Sequence, residues 1–158
     1  MDEINAFHES GHALLSILVG ARVKHVTLEP DWDDGPERFA EIQVEWPLDQ
    51  FSTKQLQQNM VMVALAGPVA EMLHTGDPFH PGHVREWAAD WNAAWHAASS
   101  LFPNERQRMV FLERSTQEIY RLFSEDHHWA ALGAIVDNLL AHETLEGDDV
   151  EEIVRTWL

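Results

Sequence analysis

Two histidines four residues apart, with a glutamate directly after the first, stand near the start of the chain. They lie in NAFHESGHALLSILVG, residues 5 to 20, as His8, Glu9 and His12. On a helix, side chains four apart share a face, so both imidazoles can reach one Zn2+ ion. Glu9 then projects beside the metal, where it can take a proton from a water that the metal polarises. The pattern is His-Glu-x-x-His. With 10 histidines in 158 residues, random order yields it roughly 0.06 times, so chance is a poor explanation. The competing reading is an ordinary amphipathic helix. Ile4, Phe7, Gly11, Leu15 and Leu18 form an apolar stripe, and the two histidines fall on its flank. That half-buried placement suits ligands that must be dehydrated yet reachable.

A hydrolytic zinc site needs a third protein ligand and an open position for water. The chain has no cysteine, so the donors must be His, Asp or Glu. Downstream candidates are Glu71, His74, His80, His83, Glu86 and Asp90, and spacing alone leaves the choice open. One hint favours Asp90. Ala94 and Ala97 share its helical face, which would let that helix approach the HESGH helix closely.

The elements that must position these residues read as a mainly α domain with a small β-sheet, an α+β arrangement. A helix is expected from Asn5 to about Val19. Strands follow at 22–30 and 39–47, from β-branched alternation ending at prolines, joined by an acidic, solvated turn around 31–37. A largely buried helix spans 52–76, capped by Ser52 or Thr53 and kinked or divided at Pro68. After a loop at 77–82, helical patterns cover 84–101, 104–124 and 129–142, and a short helix closes the chain. No internal repeat or low-complexity linker interrupts residues 1–158, which are expected to form one domain.

The formal net charge of −17 argues against nucleic acid or an anionic membrane surface as partner. No apolar run reaches the roughly 18 residues that span a bilayer. The acidic opening residues do not resemble a signal peptide, so a cytoplasmic protein is expected.

The sequence resembles the peptidase domain of FtsH-type zinc metalloproteases, the membrane-anchored ATP-dependent proteases. FHESGHALL resembles that family's zinc helix, and VKHVTLEP the strand after it. VALAGPVAEMLHTG resembles its Leu-Gly-Gly-Arg-x-Ala-Glu segment, and LLAHETLEGDDVEEIV its C-terminal segment. The resemblance implies a zincin-like helical peptidase domain with the metal helix near the N-terminus. It implies His8, His12 and Asp90 as zinc ligands, with Asp90 at the head of DWNAAW, and Glu9 as general base. Glu71 matches a family glutamate and is expected to make a structural hydrogen bond or an outer contact to the metal site.

Two departures stand out. Ala66-Gly67-Pro68 replaces the usual Gly-Gly-Arg, and HPGHVREWAA precedes Asp90. The ATPase module and membrane anchors are also missing from this sequence, so peptides, unfolded segments or an ATPase supplied in trans are the expected partners. The alternative is a non-catalytic zinc-binding or protein-interaction module that keeps the fold. Trp87, Trp91 and Trp95, spaced i, i+4, i+8, are expected to be packing surface, or a homo-oligomer interface given the hexameric family. His127 and His128 are expected at a solvated helix junction.

Overall fold

The computed structural model describes residues 2–29 and 41–158. The 31–37 turn expected from the sequence lies outside them. Mostly helical, with a small three-stranded antiparallel sheet, the chain has the fold class its periodicity implies. In order the elements are α1 (Asp2–Leu18), β1 (Arg22–Thr27), β2 (Glu41–Glu45), α2 (Thr53–Thr75), α3 (Ala88–Ala98), α4 (Glu105–Phe123), α5 (Asp126–His142), β3 (Thr144–Glu146) and α6 (Gly147–Trp157).

Helix α1 is not the one-sided amphipathic helix of the expected stripe. Every residue from Glu9 to Ser16 is buried, while Ile4 and Leu18 at the stripe's ends are exposed. The cause is its position, since α2, α5, α6 and β1 all pack around it. Small residues make that enclosure possible. A Cβ on Gly11 would come within 2.7 Å of the Ala70 Cβ, so α1 and α2 cross at close to backbone contact.

Helix α2 is set by its ends. Ser52 accepts from the Gln55 N–H at 3.1 Å and Gln55 returns a bond to the Ser52 N–H at 3.2 Å, a complete capping box. At the far end Gly76 takes the left-handed conformation, with φ of 80°, and its N–H bonds to the Met72 carbonyl. Pro68 does not divide the helix, which runs unbroken through it. An interior proline costs about 3 kcal/mol in isolation. Here it is buried, and packing against α1, α3 and α4 holds the turn.

The sheet has the order β2-β1-β3. Strand β3 was not expected from the sequence. It pairs His25 with Glu146, Val26 with Leu145 and Thr27 with Thr144, and the Thr27 and Thr144 hydroxyls bond at 2.7 Å. Three residues are too few to show a period, so only the pairing reveals the strand. The expected helix at 84–101 is also shorter. Two 3₁₀ turns, Pro81–His83 and Arg85–Trp87, precede α3.

Candidate metal centre

Residues far apart in sequence meet where α1, α2 and the start of α3 come together. The His8 and His12 Nε2 atoms face each other at 3.2 Å. Asp90 closes the triangle, with Oδ2 2.7 Å from His8 Nε2 and Oδ1 3.3 Å from His12 Nε2. Their candidate ligand atoms all lie within 4.8 Å of one another. His12 is buried, while the His8 and Asp90 side chains keep 14% and 20% of their surface. Solvent therefore reaches the centre from the His8–Asp90 side.

Helix α3 meets α1 through Asp90 at its start, and its main packing is on α2, not along α1 as the small face around Asp90 suggested. It rests on α2 and α4, with Ala94 and Ala98 buried. Helix α2 already occupies the ground beside α1, so Asp90 reaches the histidines from the first turn of α3.

Three positions of α2, each four residues after the last, serve the pair. The Val63 carbonyl accepts from His12 Nδ1 at 2.6 Å. Gly67 lies against both rings, and a Cβ there would sit 2.8 Å from His8 Nε2. Glu71 accepts from His8 Nδ1 at 2.5 Å. A carbonyl cannot donate, so His12 carries its proton on Nδ1, and the Glu71 carboxylate favours the same for His8. Each neutral ring then presents a bare Nε2 lone pair to the other and to Asp90. Two nitrogen lone pairs and a carboxylate at this spacing require a cation among them, either protons or a metal ion.

The donor set of two imidazoles and one carboxylate suits Zn2+, and the outer acceptors on both Nδ1 atoms match the usual support for metal-bound histidine. Without a metal, protons fill the role. Burial pushes the His8 pKa down, but bonds to Asp90 and Glu71 outweigh it and raise the value from 6.5 to about 10. His12 is likewise raised: burial lowers it, and the Asp90 charge and hydrogen bond reverse that. Burial alone would lift Asp90, yet the His12 charge and the bonds from both rings hold it well below the usual carboxylate range.

Glu9 is 7% exposed, and its charge is felt by both His8 and His12. Compared with known protein families and with curated proteins, the chain matches none.

The remaining candidates stand apart from this cluster. His74 stacks on Phe7 at 3.8 Å, and His80 bonds Glu113 at 3.1 Å and stacks on His83. Glu86 is exposed. The tryptophans do not form one stripe. Trp87 is buried in a 3₁₀ turn, its Nε1–H donating to Glu71, whereas Trp91 and Trp95 are half-buried and stack at 6.4 Å. Glu125, His127 and His128 form a second group with ligand spacing. It sits at the N-terminus of α5, where the helix dipole disfavours a cation, and His128 Nδ1 donates to the Leu122 carbonyl.

The roles of Gly67 and Trp87 were missed in the sequence. The spacing of 63, 67 and 71 was the available signal for Gly67, because it places one face of α2 against the histidines. Nothing local marks Trp87.

Proposed function

We propose that the chain is a zinc-dependent metallopeptidase of a zincin-like, FtsH-peptidase type. The observation that carries this reading is the convergence of His8 Nε2, His12 Nε2 and the Asp90 carboxylate, with both Nδ1 atoms tied back to acceptors. Those three side chains would hold the ion. Bound there, Zn2+ supplies a Lewis acid that polarises a water and a scissile carbonyl.

The chain's own residues do the rest. Glu9 follows His8 on α1, within electrostatic reach of both rings. Its carboxylate removes a proton from the attacking water and returns it to the leaving nitrogen. Glu71 and the Val63 carbonyl keep both rings in the tautomer that leaves Nε2 free. Strand β2 lies at the edge of the sheet, where an extended peptide can add as a further strand. Peptides or unfolded segments are the substrates this implies, with an ATPase in trans for folded ones. No helix among the described residues is long and apolar enough to cross a membrane.

The test is Glu9→Gln, which keeps shape but cannot accept a proton at neutral pH. The expected result is retained zinc and a loss of peptide or casein hydrolysis of at least about 100-fold, the low end of general-base contributions. Equal cleavage by both proteins would assign the activity elsewhere. Zinc binding with no cleavage by either, even with an ATPase present, would leave a zinc-binding interaction module.

A further inference from the structure

We propose that Trp87 is a positioning residue of the metal centre, acting on His8 through Glu71. The proposal rests on the metal-centre reading. Glu71 Oε2 receives two donors, His8 Nδ1–H at 2.5 Å and Trp87 Nε1–H. Trp87 is 5% exposed, so its indole N–H has no ready alternative in water and is satisfied by this carboxylate. An indole N–H only donates and carries no charge. It therefore fixes Glu71 in place without changing the charge of the site.

The consequence for His8 is chemical as well as steric. A carboxylate bonded by one donor alone is free to rotate, and its basicity pulls on the donor's proton. A second donor on the same oxygen stabilises the anion, so the proton stays on His8 Nδ1 and Nε2 keeps its lone pair directed at His12 and Asp90.

Chain geometry ties this to the third ligand. Trp87 closes the 3₁₀ turn at Arg85–Trp87 and stands immediately before α3, three residues ahead of Asp90. The segment that delivers Asp90 to the metal therefore also locks the outer partner of His8. A displacement of 85–90 would loosen two of the three ligands together.

Trp87→Phe keeps most of the buried ring and removes the N–H. The expected result is zinc affinity lowered by roughly 10-fold, the low end of the range for losing a direct partner of a metal ligand, because Trp87 acts one bond further out. The visible bands of the Co2+-substituted protein should shift as well. Trp95→Phe, which trims a ring on the same segment that does not touch Glu71, should change neither. Because Trp87→Phe could fail to fold, the wild type supplies a second measurement. On zinc loading, the NMR resonance of the Trp87 indole proton should shift, while those of Trp91 and Trp95 hold still. Wild-type zinc affinity and an unaltered Co2+ spectrum in Trp87→Phe would overturn the proposal and leave the metal centre standing. So would an indole resonance that ignores zinc. A wild type that binds neither Zn2+ nor Co2+ overturns the metal-centre reading, and this proposal with it.

Discussion

Gly67 faces His12 so closely that a single methyl group cannot be added between them: a Cβ on Gly67 would fall 2.7 Å from His12 Cε1. The α2 backbone is thus one wall of the candidate metal centre. Gly67→Ala should favour helix formation by up to about 1 kcal/mol on propensity alone, yet both rings would have to move. The expected outcome is a folded, helical protein whose zinc affinity falls at least about 10-fold. Circular dichroism and zinc titration of one sample check it. Wild-type zinc affinity in Gly67→Ala would show that the two rings do not hold the ion from this face.

Asp90→Asn keeps the side-chain shape and removes the charge. Zinc affinity should drop by about 100-fold or more, at the top of the range for disturbing a metal ligand's partners. Glu86→Gln, an exposed change one turn earlier, should have no effect. Stoichiometric, tightly held zinc in Asp90→Asn would exclude this carboxylate as a ligand.

Metal-free and zinc-loaded protein should answer pH in opposite directions. In the metal-free form the folded His8 pKa is raised from 6.5 to about 10, burial opposing and the bonds to Asp90 and Glu71 prevailing. The folded state thus binds this proton more tightly than the unfolded state. Its stabilising contribution is full below pH 6.5 and lost as pH rises towards 10. Asp90, held below its ordinary 3.8, contributes above that value and loses its contribution as pH falls further. Zinc binding displaces the histidine protons, so it strengthens as pH rises. The gap between melting temperatures with zinc and with chelator should widen from about pH 6 to about pH 8. A gap that stays constant would mean that protons and metal do not compete for these rings.

Part of the centre was legible because its chemistry is local. His8, Glu9 and His12 fall within five residues, and helical spacing alone aligns them. Asp90 was reachable through the resemblance and the small residues after it, although α3 packs mainly on α2 and meets α1 through Asp90. Trp87 and Gly67 were not legible. Gly67 meets the α1 histidines and Trp87 meets Glu71 of α2, so only the 63, 67, 71 spacing hinted at the first and no period marked the second. Strand β3 failed for a related reason, since its three residues are a strand only through β1. The burial of α1 on all sides had a trace in Ala6, Ser10, Gly11, Ala13 and Ser16, small residues where a surface helix would carry charges.

Ser10 is fully buried and its hydroxyl has no hydrogen-bond partner among the described residues. A buried unpaired hydroxyl is costly, and alanine is the better helix former. Ser10→Ala should therefore stabilise the protein by about 1 kcal/mol and leave zinc affinity unchanged. Thermal and denaturant unfolding would show it. A clear destabilisation would mean that the hydroxyl is satisfied in solution, for instance by a trapped water.

Helix α1 is made before α5 and α6, which pack against it from far downstream in the sequence. Such long-range closure is slow relative to local helix formation. Until residues 126–157 have left the ribosome, the middle of α1 has lost part of its cover, and its apolar side chains Leu14 and Leu15 are open to non-native contacts. The histidine pair needs only α1 to be adjacent, so an ion could be captured by two ligands before Asp90 arrives. On the metal-centre reading, metal supply during translation, and not only after it, then bears on how much of the newly made chain reaches the native state.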